Sequence, residues 1–449
     1  MKGTLLSLVS GTYKRIGFFG LGRSNKALIS LLPKDTEIIL RSDRDLPTSE
    51  LSSGSIFRVF SGERALSQID EDLLLLSPSV RRDKAELTEA IAQGTRVSSD
   101  GEMFFESVDV PVFAVTGSDG KSTTATLSAM LLRESFPDIS LCGNIGVPMC
   151  PELMKGCSAY VTELSSFQLQ YLSPKVQRAA LTNLTPNHLN WHTDMTEYIE
   201  AKLSLTDSAD KAIISVDSKE SYLQAKARRL FGVTSGNIPF CELRSIFRAD
   251  VYYTEENGHI CRNGEPILDI REIGRREEHN IKNLLTALAL TDGYASMEHI
   301  ADVSKSFSGL AHRCQSIGIY DGKEYVNSSI DTTPARTAQT LRSLKRRVTV
   351  LLGGRGKGVG YEPLLSALRE YADLAVLFGE CRYELLEAIG DNVPTVVREN
   401  LREAVNAAVS MDASGTVLLS PSATSYDEFS SFEERGMLFK KLILRLKSK

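Results

Sequence analysis

Short apolar runs ending in glycine or serine recur along this chain, and stretches with apolar residues every three or four positions lie between them. The run IGFFGLG at 16–22 is followed by SNKALISLL, whose apolar spacing is helical. EIILRSD and LLLLSPSV come next, and the helical pattern KAELTEAIAQG follows them. A short continuous apolar run is the signature of a strand buried on both faces. Such strands alternating with helices predict a parallel sheet covered on both sides. The alternation restarts at PVFAVTG (111–117), continues through KSTTATLSAMLLRES, ISLCGN, AYVTELSS, RAALTNL and KAIISVD, and then reaches a β-rich stretch, VYYTEENGHICRNGEPILDI. Helices near 279–307 close this segment. A third set starts near Gly309 with the strand runs RRVTVLLGG, ADLAVLFGE, TVVREN and GTVLLSPS, spaced by YEPLLSALREY and LREAVNAAVSM. Three α/β domains in series are predicted.

Composition narrows the function classes. A chain of 449 residues, 42% hydrophobic and 24% charged, has the balance of an ordinary globular protein of two or three domains. Its net charge of −5 leaves no electrostatic footprint for nucleic acid or an anionic membrane, so neither is expected as a partner. No run is long enough to span a bilayer, and LLSLV near the start is too short for a signal-peptide core. Seven cysteines without a C-x-x-C pair suggest reduced thiols, hence a cytoplasmic protein.

The strongest chemical signal is VTGSDGKSTT at 115–124. Gly120-Lys121-Ser122 matches the end of a phosphate-binding loop, although Val115 stands where the usual six-residue spacing puts its first glycine. The loop falls between an apolar strand and a helical pattern. There, free backbone N–H groups and the helix dipole converge on an anion. Lys121 would neutralise a phosphate, and the hydroxyl of Ser122 or Thr123 would reach Mg²⁺. Gly20-Leu21-Gly22 lacks the third glycine of a dinucleotide fingerprint, so it marks a tight turn rather than an NAD site. Glu163 ends an apolar strand run, where ligands of open α/β sheets bind. His188 and His192 follow the next run without a third zinc ligand at fitting spacing. Taken singly, Glu163 is equally a solvated cap, His188 a structural histidine and Lys202 a solvated helix lysine.

Taken in order, TGSDGKSTT, GNIG, ELSSFQL, NLTPNHL, AKLSL, EEHNIKN, LAHR, LLGGRGK and SPSATSYDEFSSFEERG resemble the Mur ligases over nearly the whole chain. The shortened loop is that family's own form, so Val115 is no defect. ELSSFQL and the C-terminal S-P-x-x-x-S-x-D-x-F-x-x-F-x-x-R-G resemble the branch that adds D-glutamate to UDP-N-acetylmuramoyl-L-alanine with ATP, in peptidoglycan precursor synthesis. The resemblance implies a Rossmann-like nucleotide-sugar domain over 1–106. It further implies a central ATPase-like domain with a mixed sheet over 107–309 and a Rossmann-like C-terminal domain over 310–449, the whole acting as a monomer. ATP would be held by Gly117, Ser118, Asp119, Gly120, Lys121, Ser122 and Thr123, with Asn280 and Arg313. Ser122 and Glu163 would hold one Mg²⁺, and His188 with a carbamylated Lys202 a second. Gly22, Arg23, Ser24 and Asn144 match contacts to the UDP-sugar. Thr332, Lys357, Ser425, Tyr426 and Phe432 match the D-glutamate pocket.

The chain departs from the family pattern at three places. Ser328 stands where N-D-S is usual, with Asp331 out of register; Asn190 stands where an aspartate is common; and Arg41 replaces the aspartate that often follows the second strand, with Asp43 out of step. Together they bear on nucleotide affinity and uracil contacts more than on the reaction class. Two other classes remain open at this level: a sister or folylpolyglutamate-type ligase using another amino acid, and a relative that binds nucleotide without turnover.

Overall fold

The computed structural model describes residues 3–43, 57–189, 191–356, 360–411 and 413–448. Lys357 and Asn190, singled out above, lie outside them. The chain divides into two compact units, Met1–Phe307 and Ser308–Lys449.

The first unit carries two sheets. Strands β1 (Arg15–Phe19), β2 (Glu37–Ser42), β3 (Phe57–Ser61), β4 (Leu73–Leu76) and β5 (Arg96–Ser98) form a parallel sheet in the order β3-β2-β1-β4-β5. That is the doubly wound order, in which the chain reverses direction beside β1 and opens a crevice between the ends of β1 and β4. The segment around LLSLV forms a helix, Gly3–Val9. Leu5 and Leu8, three positions apart, are buried with Met103 and Phe104 of the helix Asp100–Ser107.

The second sheet comprises β6 (Val112–Thr116), β7 (Ser140–Gly143), β8 (Tyr160–Glu163), β9 (Val176–Leu181), β10 (Ala209–Ser215), β11 (Arg229–Ser235), β12 (Arg248–Glu256), β13 (His259–Arg262) and β14 (Glu265–Asp269). Its order is β14-β13-β12-β11-β10-β9-β6-β8-β7, and only β12-β13-β14 run antiparallel. The β-rich sequence stretch is therefore a meander on the edge of a parallel sheet. All five residues of β6 are buried, because helices cover both faces there. The two sheets share one apolar cluster: Ile16, Phe18 and Leu73 pack in the same core as Val112, Ala114 and Tyr160. This shared core makes one compact unit of two sheets.

The second unit holds β15 (Gln315–Tyr320), β16 (Lys323–Asn327), β17 (Val348–Gly353), β18 (Ala372–Phe378), β19 (Thr395–Val397) and β20 (Thr416–Ser422), in the order β15-β16-β20-β17-β18-β19. The β15-β16 hairpin is antiparallel and adds an edge to the four strands expected from the apolar runs. Loops after β16, β17 and β20 emerge side by side at the C-terminal edge. All seven cysteines are free thiols. No helix among the described residues is long and apolar enough to cross a membrane.

Candidate active site

In the first unit, β6 delivers the chain into Gly117-Ser118-Asp119-Gly120 and the helix Lys121–Leu132. Gly117 has φ +146°, and a Cβ there would lie 1.9 Å from Thr182 Oγ1. Gly120, the helix N-cap, is left-handed at φ +79°, and its missing Cβ makes room for Asn283 Oδ1. Both positions demand glycine for conformation and space. The loop is braced from behind. Ser118 Oγ lies 2.7 Å from Tyr198 Oη and accepts from the Thr185 amide at 2.9 Å, while Thr182 Oγ1 donates to Asp119 O at 2.5 Å. Ser122 and Thr123 are buried in the first helical turn.

Three charged side chains converge here. Lys121 Nζ donates to Gly117 O at 3.0 Å and Ser118 O at 2.8 Å. Lys202, on the helix Met195–Asp207, is 2% exposed, donates to Gly117 O at 2.7 Å and lies over the Tyr198 ring. Burial, reinforced by the Lys121 charge, drives its pKa well below the ordinary lysine range, against the pull of Glu163 and Asp119. Lys202 is a buried amine, not the solvated helix lysine its local sequence suggests. Glu163, at the end of β8, is 1% exposed. Its Oε1 accepts from Asn144 Nδ2 at 2.6 Å, and its Oε2 is buried without a hydrogen-bond partner.

Gly22, Arg23, Ser24 and Asn144 line a single cleft of about 600 Å³ at the β1/β4 crevice, together with Ser77, Phe167 and Gln168. Asn144 lines the cleft and bonds Glu163 at the end of β8, the strand that pairs with β6 just ahead of the phosphate loop. Arg41 faces the other way. Fully buried, it pairs with Glu71 at 2.6 Å, donates to the carbonyls of Ala65, Ser67 and Gln68, and covers Phe60. Ser42 and Asp43 reach the cleft instead, so Arg41 lies apart from the uracil question.

His188 is exposed at φ +56° with its ring 4.8 Å from Phe167. His192 is the buried one. It sits against Phe167 and Tyr198, and burial lowers its pKa. Asn280 is buried on the helix Glu278–Leu290 and donates to Glu277 Oε2 at 3.0 Å. Among the described residues no group of three or more His, Cys, Asp or Glu forms a metal cluster.

In the second unit, Thr332 follows β16, while Ser425, Tyr426 and Phe432 follow β20. Ser425 is buried, Tyr426 is 63% exposed, and Phe432 begins the helix Phe432–Leu444. Arg313 lies ahead of β15. Two buried charges that the sequence reading did not assign tie these loops together. Arg435 donates to Ser329 O, Gly353 O, Ala423 O and Thr424 O. Asp331 accepts from Thr340 Oγ1 and Ser420 Oγ, both at 2.8 Å, and Ser328 is fully buried beside it. The carboxylate missing at Ser328 is present three residues later, inside the core. Asn183, Tyr198 and Asn283 also escaped the sequence reading. The NLT and HNIKN motifs contain two of them, but nothing in one dimension points them at the loop.

A strand-loop-helix phosphate cradle, a buried carboxylate beside it and a cleft on the neighbouring sheet are the parts that an ATP-using ligase needs. Residues 115–291 match the Mur ligase middle domain. The chain is 30% identical over 447 residues to the UDP-N-acetylmuramoylalanine--D-glutamate ligase of Clostridium kluyveri, covering 96% of each. It is 31% identical over 462 residues to the enzyme of the same name from Ruminiclostridium cellulolyticum, covering 97% of each. The solved UDP-N-acetylmuramate-alanine ligase of Thermotoga maritima shares the fold, with a TM-score of 0.56 at 17% identity over 97% of this chain and 99% of that one. The chain belongs to the Mur ligase family, and these curated relatives are its UDP-N-acetylmuramoylalanine--D-glutamate ligases.

Proposed function

We propose that the protein joins D-glutamate to UDP-N-acetylmuramoyl-L-alanine at the cost of ATP, as a cytoplasmic monomer. The observation that carries this reading is the Asn144–Glu163 bond, which ties the cleft wall to the buried carboxylate on the strand beside the one that enters the phosphate loop, with both sites in one unit. Residues 1–106 hold the UDP-sugar through Gly22, Arg23 and Ser24, with Asn144 reaching it from the central domain. Residues 107–309 hold ATP through Gly117–Thr123 and Asn280. Residues 310–449 supply Arg313 for the nucleotide, and Thr332, Lys357, Ser425, Tyr426 and Phe432 for the amino acid.

A carboxylate is unreactive toward amines in water, so it must be activated. A carboxylate oxygen of the UDP-sugar substrate attacks the γ-phosphorus of ATP; ADP leaves, and an acyl-phosphate forms. The amine of D-glutamate then attacks the acyl carbon, inorganic phosphate departs, and the amine proton is released. Lys121 offsets charge on the transferring phosphoryl group, and the amides of the first helical turn hold its oxygens. Lys357 pairs with a carboxylate of D-glutamate. Fixing both reactants supplies the entropic part of the acceleration.

Mg²⁺ fits this site because the orphaned, buried Glu163 Oε2 is an oxygen ligand in search of a cation. Glu163 and Ser122 would hold one ion, and His188 with carbamylated Lys202 another. The ions would neutralise phosphate charge. The low-pKa amine of Lys202 is the form that takes up CO₂, and ¹³CO₂ labelling would give a carbamate carbon signal that Lys202→Met lacks.

The deciding experiment offers purified protein ATP, UDP-N-acetylmuramoyl-L-alanine and a panel of amino acids. Phosphate release is expected only with D-glutamate and the acceptor together. Release with another amino acid would move the protein to a sister ligase, and absence of release to a non-catalytic relative.

A further inference from the structure

Two amides of the phosphate loop, those of Ser118 and Asp119, are taken by a single side chain from outside the loop. Asn183 follows β9, whose Leu181 pairs in register with Thr116 at the end of β6, so its carboxamide lies directly under the loop. Its Oδ1 accepts from Ser118 N at 3.1 Å and from Asp119 N at 2.8 Å, and its backbone O accepts from Ser118 N at 3.0 Å. Both partners are donors, which identifies the contacting atom as oxygen. The preceding Thr182 Oγ1 donates to Asp119 O, so residue 119 is held at both its amide and its carbonyl.

We infer that Asn183 is a positioning residue for nucleotide binding. By drawing the Ser118 and Asp119 amides inward, it leaves the Ser122 and Thr123 N–H groups of the first helical turn to meet the phosphates. Those first amides have no partner within a helix and carry the positive end of its dipole. This inference rests on Gly117–Thr123 being the phosphate site. Asn183 touches no substrate; it acts through the loop.

The experiment compares Asn183→Ala and Asn183→Asp with wild type by amide hydrogen exchange without nucleotide, by direct Mg·ATP binding and by steady-state kinetics. Asn183→Ala is expected to lose protection at Asp119, while Ser118 keeps the backbone carbonyl of residue 183 as acceptor, and to raise the Kd and KM for ATP about tenfold, with the KM for D-glutamate little changed, as fits the lost carboxamide hydrogen bonds. Asn183→Asp keeps an acceptor oxygen and should retain the protection. A merely structural residue would lower thermal stability without this split between substrates. Asn183→Ser, too short to reach both amides, is read in the same way should Asn183→Ala not fold. An ATP KM within about twofold of wild type, or undiminished protection at both amides, overturns the inference. Should Lys121→Ala also leave ATP affinity unchanged, the failure would lie in the phosphate-site reading instead.

Discussion

Gly117→Ala tests the cradle most directly. The added Cβ would stand 1.9 Å from Thr182 Oγ1 and 3.1 Å from the Asn183 backbone nitrogen. Thr182 is held by its bonds to Thr116 O and Asp119 O, so it cannot swing aside without releasing the loop. Holding a non-glycine residue at φ +146° costs about 1–3 kcal/mol, and an unrelieved overpacked contact about 1–3 kcal/mol more. The chain relaxes by moving the loop, so the penalty of about 2–6 kcal/mol appears as lost nucleotide affinity. At about 1.4 kcal/mol per decade, even the lower bound is about a 30-fold loss in kcat/KM for ATP. Phosphate-release kinetics at varied ATP, beside thermal unfolding, measure it. Adding Thr182→Ala removes the closest contact but not the backbone strain, so the double variant should recover part of the loss. Wild-type kinetics in Gly117→Ala would refute the reasoning.

Lys121→Ala should abolish ligation while leaving circular dichroism and the unfolding midpoint near wild type, because the ammonium bonds carbonyls of its own loop; wild-type turnover would sink the phosphate-loop assignment. Lys202→Met should lose ligation even in bicarbonate-rich buffer, and wild-type turnover in that variant would return Lys202 to a packing role. Burial raises the pKa of Asp331, so its contribution to stability is fully present below the ordinary carboxylate range and lost as pH rises through the folded-state value. Asp331→Asn should therefore be stabilising at neutral pH, with its advantage over wild type shrinking as pH falls toward about 4, as thermal melts would record; a pH-independent difference would contradict the burial argument.

Much of the site was legible because it is local. VFAVTGSDGKSTT is one continuous strand, loop and helix, and the glycines that permit the loop lie among the same few residues proposed to bind. Glu163 was legible as a strand-end carboxylate, but not its buried, half-partnered state. That state depends on Asn144, 19 residues earlier. Arg41 and Ser42 differ by one position, and one position in a strand is the difference between opposite faces. Burial against Glu71, 30 residues away, decided which of the two would reach the cleft.

The sequence by itself determined the order of strands and helices, the phosphate loop and the family. These depend on periodicity, and on backbone conformations that only certain residues allow. The tertiary structure decided what stands behind the loop and how charged groups are tuned. Asn183 and Tyr198 meet Ser118 across separations of 65 and 80 residues. Lys202 is driven toward its neutral form only because the second sheet and its helices take it out of water. Desolvation is a property of all the surrounding atoms at once, and no run of neighbours along the chain encodes it.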